Sequence, residues 1–441
     1  MVFTYSRLLL FIIFCSIYFS SITASSYPLK QLNPTNEPCD QSLLPIVMLH
    51  GFLASGDTYE KQALRFIANG WCPDRIFIFD WNTLGGSGNL ERLDQFIMDV
   101  LDQSDADKVF LAGHSAGSGL CYEYLKDGSR ASNVAAYVHL AGRSPDQPAG
   151  PDGDIPTLNI FSDGDLIVRG DSIEGAQNIH FSNHDHYQVA TSVETFEAMY
   201  YFFTNKKPQT NQIIPSESAT VVINGKTITL GENSPVAGAK ILIFEVDPTT
   251  GFRLRSEADR SLTADDGGYW GPFEAKVNQP YEFVLHSGDD ARVIHYYRSG
   301  FSTDNNWVYL RSLPPLGSPA GLLLAGLPKD DEQSVVGVFI SDQAVIHGRD
   351  ELNCNGFDLA TETFATASGS NIAWFLYDAN RNQQSDGTSI GNFSFIPFLA
   401  GVDLFFDTQT PQSITVTFND KTIACRNWNS DTDGIIVIVF D

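Results

Sequence analysis

The chain has 441 residues, 43% of them hydrophobic, and carries 53 acidic against 27 basic side chains, a net charge of -26. That length exceeds one ordinary hydrophobic core and predicts two or three domains. The acidic excess excludes a nucleic-acid partner and adsorption to anionic lipid, and it leaves neutral ester or lipid substrates open.

Residues 1–24 read as a secretory signal, with Arg7 as the positive start, Leu8 to Phe19 as the apolar stretch and Ala24 before the cut. The stretch is too short to span a bilayer, and no later segment resembles a membrane helix. The mature protein is therefore expected to be secreted, extracellular or periplasmic, with no integral membrane association. In such a compartment Cys39 and Cys72, each just before a predicted strand at one end of a sheet, are expected to form a disulfide. Cys354 and Cys425 are the only cysteines in the last third and are expected to pair by elimination. Cys121 reads as a small buried apolar residue, and the cysteine spacings do not resemble a zinc site.

From Leu44 the pattern repeats strand, glycine-containing loop and helix. Leu44 to Leu49 is an apolar strand running into His50-Gly51-Phe52-Leu53, and the helix after it has Asp57 and Glu60 as a capping pair and Gly70 as its stop. Arg75 to Trp81 is the next strand, and Asn89 caps a helix whose Leu90, Leu93, Phe96, Ile97, Val100 and Leu101 share one face. Lys108 to Ala112 is a third strand, followed by Ala136 to Ala141, Thr157 to Phe161 and Ile179 to Phe181. A closing helix spans about Thr191 to Phe203, with Thr191 and Glu194 as a capping box. Strands alternating with helices predict a doubly wound, mostly parallel sheet over residues 25–205.

Residues 206–218 are polar and proline-marked and read as a linker. Beyond them the period becomes that of strands. Thr220 to Ile223 and Thr227 to Leu230 flank Asn224-Gly225, a hairpin signal. Residues 219–315 are expected to form a β-sandwich module, 316–332 a second linker, and 333–441 a second all-β module ending in the strand Ile435 to Phe440.

The stretch with most chemical content is Gly113-His114-Ser115-Ala116-Gly117, between a strand and a helix. In that setting G-x-S-x-G is a tight turn that lifts the serine above the sheet edge. A serine hydroxyl needs a base, and the base needs a carboxylate to orient it. Downstream, Ser162-Asp163-Gly164-Asp165-Leu166-Ile167-Val168 offers two aspartates. Asp165, directly before Leu-Ile-Val, is favoured, because Asp163 suits an exposed turn. Asn183-His184-Asp185-His186 offers two histidines. His186, just ahead of the closing helix, is favoured over His184. The oxyanion donors are expected to be the backbone N–H groups of Phe52 and Ala116. His50 is expected to fix its loop by hydrogen bonding, and His114 to pack against the sheet.

Leu-His-Gly-Phe, Gly-His-Ser-Ala-Gly, Ser-Asp-Gly-Asp-Leu-Ile-Val and Asp-His-Tyr-Gln-Val-Ala-Thr-Ser, in that order, resemble secreted bacterial lipases and esterases of the α/β-hydrolase family that carry β-sandwich modules behind the catalytic domain. The resemblance covers Leu44 to Phe203 through specific motifs and the β modules more loosely. It implies an α/β-hydrolase fold, Ser115, Asp165 and His186 as a triad, Phe52 and Ala116 as oxyanion donors, and cleavage of lipid or other esters. No cofactor is expected. The rival expectations are a carboxylesterase or polyester depolymerase whose β modules hold the substrate, and a non-catalytic surface-binding protein.

Many such lipases insert a helical lid after the fourth strand. Here Gly142 to Ile155 is a short loop of Pro, Gly and Asp, so an open site is expected. Leu53, Leu140, Ile167 and Tyr187 are the candidate substrate-binding residues. Asp378, Asn380, Asn382 and Asp386 alternate like a worn calcium loop, which an Asx-rich turn explains as well. Asn392-Phe-Ser394 is a glycosylation acceptor that matters only in a eukaryotic secretory route.

Overall fold

The computed structural model describes residues 39–85, 87–288, 291–393 and 396–441. The predicted signal segment and Ser394 lie outside the described residues. The N-terminal part comprises β1 (Ile46–Leu49), α1 (Glu60–Ala68), β2 (Ile76–Phe79), α2 (Asn89–Ser104), β3 (Val109–His114), α3 (Ala116–Leu125), α4 (Gly128–Ala131), β4 (Val134–Leu140), β5 (Thr157–Ser162), β6 (Gln177–Phe181), α5 (Gln188–Thr191) and α6 (Val193–Thr204). Its strands form one sheet in the order β2-β1-β3-β4-β5-β6, with every neighbouring pair parallel.

Alternation along the strands sends side chains to both faces. Ile46 and Met48 pack under α1 and α6 with Phe66, Phe196 and Met199. Val47 and Leu49 pack on the other face under α2 and α3 with Leu93, Ile97 and Tyr124. Each such side chain contributes about 1.5–3 kcal/mol by leaving water, and the two faces together make the expected doubly wound layer. The Cys39–Cys72 disulfide ties the entry of this part to the start of β2.

Three helix starts differ from expectation. Asp57 and Glu60 do not cap α1: Asp57 pairs with Arg311, and the Glu60 carboxylate takes Arg298 Nη2 at 2.9 Å and Asn305 Nδ2 at 2.6 Å. The cap of α6 is Ser192, whose Oγ accepts the Thr195 N–H at 3.2 Å, while Glu194 faces His184. Asn89 begins α2 rather than capping it, and its amide donates to the Asn82 carbonyl.

The β-rich part contains β7 (Thr220–Thr229), β8 (Lys240–Glu245), β9 (Arg260–Thr263), β10 (Tyr269–Lys276), β11 (Tyr281–His286), β12 (Ile294–Arg298), β13 (Asn305–Ser312), a short α7 (Pro319–Leu324), β14 (Val336–Ile340), β15 (Leu352–Cys354), β16 (Phe357–Asp358), β17 (Ala373–Tyr377), β18 (Leu399–Asp403), β19 (Ser413–Phe418), β20 (Lys421–Arg426) and β21 (Ile435–Phe440). These strands make sheets ordered β10-β7-β13, β18-β17-β14-β21-β12-β11-β8-β9 and β16-β15-β19-β20. The eight-stranded sheet takes strands from both sides of residues 316–332. Its seam is β21, which pairs in parallel with β12 on one side and β14 on the other. The two β segments therefore share one sheet and two apolar clusters: Phe283 lies with Phe375 and Val437 in one, and Tyr297 with Trp374 and Ile438 in the other.

Two expectations fail here for physical reasons. Asn224-Gly225 is not a turn: β7 runs straight through it, with Gly225 opposite Trp270 and Val308. A Cβ on Gly225 would lie 1.9 Å from the Val308 carbonyl oxygen, so glycine serves close strand approach there. Cys354 and Cys425 are both free and buried. Cys354 sits opposite Val416 and Cys425 opposite Ile414, on strands flanking β19 from either side. Two strand spacings, about 10 Å, separate them, beyond the reach of a disulfide.

Candidate active site

β3 is central in its sheet and delivers Ser115 at its carboxyl end. Ser115 adopts φ 53° and ψ −118°, a conformation that a non-glycine residue holds only when its surroundings impose it. The flanking glycines make it fit. A Cβ on Gly113 would lie 2.8 Å from Cys121 Sγ and from Ser118 Cα, and one on Gly117 would lie 2.5 Å from the His50 carbonyl oxygen. The glycines thus permit packing of α3 against β1, and the serine itself bears the strained dihedrals. Its N–H is anchored to the Leu140 carbonyl at 2.8 Å, and its side chain is half-buried.

Asp165 follows β5 and is fully buried. Its Oδ1 accepts the backbone N–H groups of Ile167 and Val168, each at 2.9 Å, and its Oδ2 lies 2.7 Å from His186 Nδ1. The Asp165 carboxylate is therefore the acceptor for Nδ1–H, which leaves Nε2 as the bare nitrogen. Asp163, its competitor, is exposed and faces His180 at 3.0 Å, and His184 stands 3.5 Å from Glu194.

The His186 loop is a capping box that the sequence spells as Asp185-x-x-Gln188. Asp185 Oδ1 accepts the N–H groups of Tyr187 and Gln188, and Gln188 Oε1 accepts the Asp185 N–H in return. The other Asp185 oxygen takes Arg349 Nη1 at 2.9 Å. Burial raises the Asp185 carboxyl above the usual range, and the Arg349 guanidinium opposes that rise.

His114 bridges the serine and histidine segments. Its Nε2 lies 2.8 Å from the His186 carbonyl oxygen, and its ring centroid is 4.7 Å from that of His186. Burial, with His186 adding to it, holds its pKa well below the usual imidazole value. His114 is thus neutral and donates through Nε2–H. The buried Cys121 thiol is likewise pushed well up by burial and stays unionised.

On the opposite side, the loop after β1 brings Gly51 against the serine: a Cβ on Gly51 would lie 3.1 Å from Ser115 Cβ. Phe52 follows, and Leu53 holds a positive φ of 58° with its N–H on Thr83 Oγ1 at 2.9 Å. Ala116 opens α3, so its N–H has no acceptor within the helix.

The histidine side of the site is covered, where an open arrangement is expected, while Ser115 stays half-buried. The loop 142–155 carries no helix, and the cover comes from the far end of the chain. Phe398 stacks on His186 at 6.1 Å and 11°, and with Ala344 it packs against Tyr187, Phe52 and Ile167. His186 is left 1% exposed. Tyr187 and Phe398 also wall an apolar cavity between the two parts of the molecule, lined further by Leu53, Leu230, Leu323 and Phe375. Of the candidate substrate-binding residues, Leu53 and Tyr187 line this cavity. Ile167 packs behind Tyr187, and Leu140 is fully buried in the sheet core.

The Asp378 loop satisfies its carboxylates with N–H donors. Asp378 accepts from the backbone of Arg381 and Gln383, and Asp386 accepts from the amides of Asn380 and Asn382. Among the described residues no cluster of three or more His, Cys, Asp or Glu could hold a metal.

Residues 45–163 match the alpha/beta hydrolase fold family, residues 219–315 match the lipase C-terminal domain, and residues 338–441 match a further C-terminal domain family. A putative non-heme haloperoxidase of Mycobacterium phage D29 is 32% identical over 85 residues, which is 18% of this chain and 30% of that protein. Among solved structures, an esterase from Rhodococcus sp. ECU1013 aligns at 14% identity and TM-score 0.31, over 38% of this chain and 92% of the esterase. The carboxylesterase CesB of Bacillus subtilis aligns at 11% identity and TM-score 0.30, over 38% and 86%.

The parallel sheet and its matching family define an α/β-hydrolase fold. Behind that fold, residues 219–315 are similar to the C-terminal domain of lipases.

Proposed function

We propose that the protein is a serine hydrolase that cleaves carboxylic esters, foremost lipid acyl esters, through an acyl-enzyme, with no cofactor. The observation that carries this reading is the 2.7 Å contact between the buried Asp165 carboxylate and His186 Nδ1, with the ring of His114, the neighbour of a serine held at φ 53°, 4.7 Å from the His186 ring. In the proposed reaction the Ser115 hydroxyl attacks the ester carbonyl as His186 Nε2 takes its proton. The carbonyl π-electrons move to oxygen, where the N–H groups of Phe52 and Ala116 receive the negative charge. Collapse expels the alcohol, which takes the proton from His186, and water releases the acid by the same steps. Asp165 keeps the imidazole in the Nδ1–H form and stabilises the imidazolium.

The apolar cavity between Tyr187, Phe398 and Leu323, which reaches the neighbours of His186 and Phe52, supports an acyl chain as the group bound there. Because the β-rich part supplies Phe398, Leu230 and Leu323, that part belongs to the substrate site in this reading. The Cys39–Cys72 disulfide supports export into an oxidising compartment, and no described helix is long and apolar enough to cross a membrane.

The test is a p-nitrophenyl ester series from short to long acyl chains, run on wild type and Ser115→Ala. Turnover is expected to favour chains long enough to fill the cavity, and the variant to lose about 10⁶-fold in kcat. Ser115→Ala activity equal to wild type ends the proposal, and no Ser115-dependent turnover of any ester leaves a surface-binding protein.

A further inference from the structure

His50 and Asn233 stand outside the triad, yet their hydrogen bonds converge on the peptide that carries the Phe52 N–H. His50 is fully buried, and burial lowers its pKa from the usual imidazole value, so the ring is neutral. Its Nδ1 lies 2.9 Å from the Gly51 carbonyl oxygen. Its Nε2 meets two donors, the Trp81 backbone N–H at 3.3 Å and the Asn233 amide at 3.2 Å. A carbonyl only accepts and a backbone N–H only donates. The proton of His50 is therefore on Nδ1, and the Nε2 lone pair faces Trp81 and Asn233. The opposite tautomer would set N–H against N–H on one side of the ring and lone pair against lone pair on the other.

Asn233 belongs to the β-rich part, on the turn after β7. It is 2% exposed and holds a positive φ of 55°. Besides His50, its Nδ2 meets the carbonyls of Ala54 at 2.8 Å and Trp81 at 3.0 Å. All three partners are acceptors, which settles the orientation of the amide. The turn is closed on itself by Asn233 N to the Thr229 carbonyl and Thr229 N to the Ser234 carbonyl. Gly231 approaches so near that a Cβ there would lie 3.2 Å from Leu84 and 3.4 Å from Leu53.

In a trans peptide the C=O and the following N–H point in opposite directions. With the Gly51 oxygen held by His50, the Phe52 N–H is aimed away from His50. Gly51 itself lies against the Ser115 Cβ. We infer that Asn233 is a positioning residue for ester cleavage: through His50 it fixes the Gly51–Phe52 peptide so that the Phe52 N–H faces the oxyanion. The inference rests on the proposed role of Phe52 as an oxyanion donor. It makes the β-rich part a contributor to transition-state geometry as well as to the acyl cavity.

The test is Asn233→Gly, which keeps the left-handed backbone while removing the amide, assayed in wild-type and His50→Ala backgrounds with Ser115→Ala as reference. Removing one oxyanion donor outright costs about 10²–10³-fold in kcat, so loosening one is expected to cost about 10–100-fold, with KM changed less than about twofold. In the His50→Ala background the same change is expected to cost nothing further, since the two residues act in series. A purely structural tie would lower kcat equally in both backgrounds, and that result overturns the inference, as does an unchanged kcat in Asn233→Gly. Should His50→Ala not fold, inhibition by butylboronic acid, whose tetrahedral adduct places an oxygen in the oxyanion position, decides on the single variant. Affinity weakened in proportion to kcat supports the relay, and unchanged affinity overturns it. Failure of the parent reading is separate, because there Ser115→Ala retains wild-type turnover.

Discussion

In the loop after β5, Asp165 gives one oxygen to the backbone of Ile167 and Val168 and the other to His186 Nδ1. The first set of bonds fixes the carboxylate, and the second fixes which imidazole nitrogen carries the proton. Asp165→Asn keeps the shape but presents either an N–H that cannot accept Nδ1–H or a weaker neutral acceptor. Ester turnover is expected to fall on the order of 10⁴-fold with KM little changed, read by steady-state kinetics beside circular dichroism. A loss below about tenfold would remove Asp165 from the proposed mechanism. Much of this site was legible along the chain: the strand-to-helix setting marked Ser115, and the loop context favoured Asp165 and His186 over Asp163 and His184. The Asp185-x-x-Gln188 box is equally legible in the sequence, whereas Thr191 and Glu194 misplace the cap of the closing helix by one residue from Ser192. Phe398, Arg349 and Asn233 left no local signal, since each reaches the site from the β-rich part, and their contacts exist only after folding.

At the scale of elements, strand alternation and helix periodicity carried the parallel sheet, because those periods follow from backbone geometry alone. The β-rich part was harder for the same reason in reverse. Asn-Gly has the dihedral freedom of a hairpin turn, but in β7 it pairs with β10 on one side and β13 on the other. Tertiary pairing overrides local turn propensity there. The glycine is required by the space between strands, which gives a test. Gly225→Ala would place a methyl 1.9 Å from the Val308 oxygen and 2.6 Å from the Trp270 ring, so β13 or the indole must move. Overpacking of this kind costs about 1–3 kcal/mol, seen as a lower midpoint in urea unfolding. Asn224→Ala, which removes only the 2.8 Å bond to Asn306, is expected to cost less, about 1 kcal/mol. Equal costs for the two would restore the turn as the reason for the glycine.

The two parts of the molecule meet across charge as well as apolar surface. Asp80 receives Lys226 Nζ at 2.7 Å and the Tyr309 hydroxyl at 2.9 Å, and Arg311 reaches Asp57. Arg298, 1% exposed, lies between Glu60 and Asp441. One buried guanidinium is thus shared by a buried carboxylate, Glu60, and a partly exposed one, Asp441. The consequence falls on Glu60, whose pKa is raised to about 7, by burial first and by Asp441 next, against the pull of Arg298. A carboxyl whose folded pKa lies above its unfolded value of 4.5 holds a proton in the folded state that the unfolded chain has released. Stability from this group is therefore greatest in acid and declines as pH rises through the window from about 4.5 to 7. The full decline approaches about 3 kcal/mol. Glu60→Gln keeps the shape of the protonated group and leaves Arg298 paired with Asp441, so it is expected to lack that decline. Thermal unfolding of both proteins between pH 5 and 8 reads the difference, and taking the difference cancels every other titrating group. The variant should match the wild type near pH 5 and melt higher at pH 8. Parallel profiles across that range would mean that Glu60 is ionised throughout, and that the shared guanidinium satisfies both carboxylates at once.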